Sequence, residues 1–127
     1  MDIVRARRIL VIDDEADLVA TYRRLFGRQG YDVESAGTRA GGLSLIDSAS
    51  PDIVIADLEL PDGDGLDLVR AARTGSTPSR VIVVSGRPSS GARDEAMAAG
   101  ASAFIAKPFS AGALGDLVRS LLEIPRI

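Results

Sequence analysis

Ile53-Val54-Ile55-Ala56 runs without a break into Asp57, and Leu58-Glu59-Leu60-Pro61-Asp62-Gly63-Asp64-Gly65 follows with acids, a proline and glycines that cannot prolong a strand. An unbroken apolar strand suits a parallel sheet covered on both faces, and such sheets present ligands at the carboxyl ends of their strands. This stretch makes Asp57 a carboxylate delivered by a rigid element to a site.

The pattern recurs along the chain. Arg8-Ile9-Leu10-Val11-Ile12-Asp13-Asp14-Glu15 is an apolar run ending in three acids. Leu18, Val19, Tyr22, Leu25 and Phe26 then share one helical face over 16–28, which Gly27 or Gly30 can end. Tyr31-Asp32-Val33-Glu34-Ser35 alternates as an edge strand with one covered face should. Ala40, Leu43 and Ile46 place a helix over 38–47, although Gly41-Gly42 weakens it by about 1 kcal/mol per glycine relative to alanine.

After the Ser50-Pro51-Asp52 break and the central strand, a helix is expected over 65–73 and a loop over 75–79. Arg80-Val81-Ile82-Val83-Val84-Ser85-Gly86 is a fourth strand, and an alanine-rich helix over 90–99 is closed by Gly100. Ala101-Ser102-Ala103-Phe104-Ile105-Ala106-Lys107-Pro108 is a fifth strand, before a last helix over 111–122 with Leu114, Leu117, Val118, Leu121 and Leu122 on its core face. Five alternations of strand and helix predict an α/β three-layer sandwich: a five-stranded parallel sheet with right-handed crossovers and five helices. No linker divides residues 1–127, so a single domain is expected, burying roughly two thirds of its unfolded surface.

Cys and His are both absent, which excludes thiolate nucleophiles, the usual zinc sites, Ser-His-Asp catalysis and phosphohistidine chemistry within these residues. The net charge of −3 argues against a nucleic-acid surface, and Arg5, Arg7 and Arg8 read as a solvated lead-in. No apolar run approaches the roughly 20 residues of a membrane span, and no signal peptide is visible, so a cytoplasmic location is expected.

At the strand ends stand Asp13-Asp14, Asp57, Ser85 and Lys107. One Asp in a strand-to-helix turn is ordinarily a cap or an Asx turn. A parallel sheet, however, gathers all these ends on one edge. Two carboxylates 4 Å apart repel by about 4 kcal/mol at an effective dielectric near 20, so the acids need cations among them. Lys107 supplies one, and a divalent ion with oxygen ligands and waters, magnesium rather than calcium, suits the remainder. The partner for such an arrangement is a phosphoryl group, with Ser85 donating to an oxygen and the Asp57 carboxylate attacking phosphorus.

Val11-Ile12-Asp13-Asp14-Glu15, the segment from Asp57 to Gly65, Val84-Ser85-Gly86 and Lys107-Pro108-Phe109 resemble the four signature segments of the receiver domains of two-component response regulators. The resemblance implies a flavodoxin-like fold with strand order 2-1-3-4-5. It also implies Asp57 as phosphoacceptor, and Mg2+ held by Asp13, Asp14, Asp57 and the Glu59 backbone carbonyl. Ser85 and Lys107 would contact the phosphoryl group, and Lys107-Pro108 is often cis in the family. Phe104 matches an aromatic switch position but equally fits a plain strand core residue.

The implied donor is a sensor histidine kinase or a phosphotransfer protein. The chain would catalyse only its own phosphorylation and dephosphorylation, without being a turnover enzyme. The implied interaction surface, shared with partners or with a second copy in a homodimer, is helix four, strand five and helix five. Residues 122–127 read either as the start of a linker or as a natural end.

Three departures stand out. Gly63 occupies a position where the family usually has a bulky residue, which implies a looser loop. Glu59 and Arg87 can overhang the site and tune phosphorylation and its decay, or simply pair with each other. Two other classes compete with a phosphoaccepting receiver: a pseudo-receiver that never takes phosphate, and an aspartate-nucleophile phosphohydrolase. The full acidic set with Lys107 opposes the first, and Asp57-Leu58-Glu59 lacks the second Asp wanted by the other. A nucleotide or flavin binder would need a glycine-rich phosphate loop, and none occurs.

Overall fold

The computed structural model describes residues 6–75 and 78–123. Arg5, residues 76–77 of the expected loop, and residues 124–127 of the linker reading lie outside them. In chain order the elements are β1 (Arg8–Ile12), α1 (Ala16–Arg28), β2 (Asp32–Ala36), α2 (Arg39–Ala49), β3 (Ile53–Asp57), β4 (Glu59–Leu60), β5 (Gly63–Asp64), α3 (Leu66–Thr74), β6 (Arg80–Ser85), α4 (Ser90–Ala99), β7 (Ala103–Ala106) and α5 (Ala111–Glu123).

The main sheet is parallel throughout, in the order β2-β1-β3-β6-β7. This is the expected 2-1-3-4-5 order, because β4 and β5 form a separate antiparallel ribbon. The ribbon has no periodic signal in the sequence, since each of its strands is only two residues long.

The unbroken apolar runs have a simple cause. Ile9, Val11, Ile53, Ile55, Ile82 and Val84 pack with Tyr22 and Phe26 of α1 and Leu114, Val118 and Leu121 of α5. The intervening Leu10, Ile12, Val54, Ala56, Val81 and Val83 pack with Leu66, Leu68, Val69 and Ala72 of α3 and Ala96 of α4. Successive side chains of a strand point to opposite faces, so with helices on both faces the interior positions of these strands are apolar and polar residues fall at their ends. Each fully buried Val, Leu or Ile contributes roughly 1.5–3 kcal/mol.

Two helix ends follow local chemistry. Gly30 is in the left-handed region just past α1, while Gly27 lies inside the helix, so of the two expected stops it is Gly30 that acts. Thr38 caps α2, its hydroxyl accepting from the Gly41 N–H at 3.1 Å. Gly42, expected to weaken this helix, is buried, and a Cβ there would stand 2.8 Å from Ile12 and 3.0 Å from Leu68. Close docking of α2 on β1 therefore requires the missing side chain.

The solvated lead-in needs correction. Arg8 is the first residue of β1: its N–H donates to Asp52 Oδ2 at 2.8 Å, and its guanidinium donates to the Ala49 carbonyl at 2.8 Å. Arg7 lies 3.9 Å from Asp52. These arginines fasten the amino end of the sheet to the turn after α2. Sequence clustering could not show this, because Asp52 is far from them along the chain.

Candidate functional site

The carboxyl ends of β1, β3, β6 and β7 meet at one edge, and there the sequence candidates converge. Asp57 ends β3 and is only 4% exposed; Asp13 follows β1 and is 3% exposed. Asp13, Asp14 and Asp57 each offer a carboxylate oxygen within 4.8 Å of the others. Lys107, just past β7, places its Nζ 3.1 Å from Asp13 Oδ2 and 3.1 Å from Asp57 Oδ2. The Lys107-Pro108 bond is cis.

Local backbone geometry aims these groups. Asp57 Oδ1 accepts from the Glu59 N–H at 2.9 Å, and Asp13 Oδ1 accepts from the Glu15 N–H at 2.9 Å, each acid closing a turn two residues on. The ladder between β3 and β6 continues just past Asp57, where the Leu58 N–H donates to the Val84 carbonyl at 2.9 Å. Gly65 packs directly behind, where a Cβ would sit 2.5 Å from the Asp57 carbonyl oxygen. No residue with a side chain fits there without moving the Asp57 backbone.

Burial pushes the Asp57 carboxyl above its ordinary value, with the Asp13 charge adding, while the Glu59 N–H and Lys107 ammonium pull the other way. For Lys107, burial disfavours the ammonium, but its hydrogen bonds to Glu15, Asp57 and Asp13 outweigh that and hold it above the ordinary lysine value. The site at neutral pH is thus a fixed cation among acids. Three clustered aspartates and one lysine leave an excess of negative charge, and their hard oxygen donors fit a hard divalent cation such as Mg2+.

Ser85 is fully buried at the end of β6. Its hydroxyl donates to Glu59 Oε2 at 2.8 Å and accepts from the Arg87 N–H at 3.0 Å. Glu59 Oε1 in turn accepts from the Gly86 N–H at 2.8 Å. Glu59 thus engages Ser85 and Gly86, and among the described residues no ion pair joins it to Arg87. Arg87 meets the site through its backbone N–H.

Phe104 is half-buried in β7. It packs on the core face shared by α3 and α4 and borders a cleft of ≈ 350 Å³ with Pro88, Ser89, Ser90 and Arg93. Some features had no legible role in the sequence. Glu15 Oε1 lies 2.9 Å from Lys107 Nζ, giving that ammonium a third carboxylate; the only hint was its place in the acidic triplet. Tyr22 stacks on Phe109 with ring centroids 6.2 Å apart, and its buried hydroxyl has no hydrogen-bond partner among the described residues.

The loop expected to be loose is tied down. Gly63 pairs with Leu60 in the ribbon, and a Cβ at Gly63 would lie 3.0 Å from Arg39 Cδ. The missing side chain makes room for Arg39 to cross and bond Asp67 of α3, Nε to Oδ2 at 3.0 Å. Asp62 also accepts from the N–H groups of Arg39 and Ala40 at 2.6 and 3.0 Å, at the positive end of α2. Backbone N–H groups hold the Asp62 carboxyl below its ordinary value, and the Arg39 guanidinium does the same for Asp67.

Comparison with known proteins agrees with this fold. The family model described as response regulator receiver domain matches residues 9–119. Among curated proteins, the transcriptional regulatory protein KdpE of Mycobacterium tuberculosis is 41% identical over 101 residues, which cover 80% of this chain and 44% of that protein. The transcriptional regulatory protein PrrA of Mycobacterium leprae is 33% identical over 120 residues, 94% of this chain and 52% of that protein. The chain spans about half the length of these relatives.

Among solved structures, a CheY-like receiver domain protein from Methanospirillum hungatei superposes with a TM-score of 0.89 at 28% identity, covering 94% of this chain and 95% of that one. A response regulator from Burkholderia pseudomallei, solved with a phosphorylated aspartic acid and a calcium ion, gives 0.80 at 25% identity, covering 95% of this chain and 76% of that one.

Proposed function

The chain belongs to the response regulator receiver domain family, and on that premise we propose that it accepts a phosphoryl group on Asp57 from a histidine kinase or phosphotransfer protein in the cytoplasm. The observation that carries this reading is the buried Asp57 carboxylate, with Lys107 Nζ at 3.1 Å and Asp13 and Asp14 beside it. One Asp57 oxygen attacks phosphorus while the bond to the donor nitrogen or oxygen breaks and its electron pair leaves with the donor. The product is an acyl phosphate.

Each residue has a task in this step. The Glu59 N–H and Lys107 orient the attacking carboxylate. Lys107 also stands where negative charge accumulates on the phosphoryl oxygens, and Ser85 supplies a hydroxyl donor. Asp13, Asp14, Asp57 and the Glu59 carbonyl would hold Mg2+, which when bound neutralises phosphoryl charge. Phe104, beside its cleft, is the candidate for following Ser85 when phosphate is present. Glu59 and Arg87 tune rates, and α4, β7 and α5 form the surface that carries the state to partners or a second copy. Turnover of an external substrate is no part of this reading.

The test is intact-mass spectrometry after acetyl phosphate and Mg2+. The wild-type chain gains one phosphoryl group, Asp57→Asn gains none, and chelating the metal suppresses the gain. An unmodified wild type overturns the reading, and label persisting in Asp57→Asn moves the acceptor elsewhere.

A further inference from the structure

Within the proposed phosphoacceptor reading, we infer that the Glu59 carboxylate is an internal competitor, occupying the two-donor seat that a phosphoryl oxygen must take. The seat is built from rigid parts. Ser85 is 0% exposed, its hydroxyl fixed by the Arg87 N–H at 3.0 Å and its carbonyl held by the Lys107 N–H at 2.8 Å. The next residue, Gly86, presents its N–H to the same space. Glu59 fills the pair bidentately, Oε2 on the Ser85 hydroxyl and Oε1 on the Gly86 N–H, both at 2.8 Å. Charge-assisted contacts of this kind are the strong ones.

The Val84-Ser85-Gly86 segment lies beside Asp57, because Asp57 is in register with Val84 in the sheet. A phosphoryl group on Asp57 therefore needs the donors that Glu59 holds. Two anions cannot share them, since each N–H or O–H serves one oxygen well and the anions repel. Displacement is sterically open: Glu59 is exposed, and its N–H to Asp57 Oδ1 at 2.9 Å keeps the backbone in place while the side chain swings outward. The resting protein carries an anion that a donor must evict. Small phosphodonors, which bring little binding energy of their own, feel that competition most.

The experiment compares wild type, Glu59→Gln and Glu59→Ala for initial rate of labelling by acetyl phosphate with Mg2+, and for half-saturation by beryllofluoride followed at the Gly86 amide by NMR. Releasing two charge-assisted contacts raises the Glu59→Ala labelling rate about tenfold. Glu59→Gln, which keeps an acceptor but loses the charge, falls between, and beryllofluoride saturates both variants at lower concentration. Before any ligand is added, the Gly86 amide proton of Glu59→Ala moves upfield as its carboxylate bond is lost. Equal or slower labelling in both variants, with label still on Asp57, overturns the competitor while leaving the phosphoacceptor intact. Absence of label from all three proteins overturns both.

Discussion

Two carboxylate and cation networks sit on the same stretch of chain, and burial sends them in opposite directions. At Asp57, burial raises the carboxyl although Lys107 lies 3.1 Å away. A few residues on, Asp62 is exposed and Asp67 half-buried, and their bonds to α2 and to Arg39 lower them. An ion pair in water is worth little and costs little, whereas a buried acid is expensive even when paired and is kept where it has work to do. The inner network therefore reads as chemistry and the outer one as a clamp that ties the β4–β5 ribbon and α3 to α2.

The largest test of that contrast is chemical. Asp57→Asn should reduce acetyl phosphate labelling to background, while Asp67→Asn should label like wild type; equal loss in both would erase the distinction. Lys107→Met comes next. Removing the only inner cation among the described residues should slow labelling on the order of 10²-fold, as loss of a preorganised donor does, measured as an initial rate by mass spectrometry.

Gly65 joins the two networks. Gly65→Ala forces a Cβ to within 2.5 Å of the Asp57 carbonyl oxygen and should cost about 1–3 kcal/mol in urea unfolding. A smaller effect is expected from Arg39→Met, which leaves Asp67 with Arg70 alone and should lower the urea midpoint less than Gly65→Ala does, leaving labelling unchanged.

The last prediction concerns pH. The folded pKa values of Asp62 and Asp67 are depressed, so both contribute stability above the ordinary aspartate value, and that stability is lost as pH falls through their lowered folded values. Acid unfolding of Asp62→Asn should consequently show a shallower loss than wild type over the acid range below about pH 4. An unchanged acid limb would mean that the outer contacts do not persist in solution.

Much of this protein is legible in its sequence. Apolar runs too continuous for a one-faced sheet announced helices on both sides, and the residues ending those runs announced the edge where Asp13, Asp14, Asp57 and Lys107 meet. Such features are local, or follow from rules of parallel topology. The β4–β5 ribbon was not legible, because strands of two residues leave no period. Arg8 on Ala49, Arg39 on Asp67 and Glu15 on Lys107 were not legible either, since each joins residues remote in the chain.

Gly63 and Glu59 show the limit most clearly. Both stood out in sequence as departures, yet their meaning was set by contacts: Gly63 leaves space for Arg39 to cross, and Glu59 turns its carboxylate onto Ser85 and Gly86. The order of residues alone determined the layered sheet and the composition of its working edge, because hydrophobic periodicity and strand ends are written along one dimension. Tertiary structure decided which side chains at that edge touch, since a hydrogen bond depends on distances of about 3 Å that sequence separation does not encode.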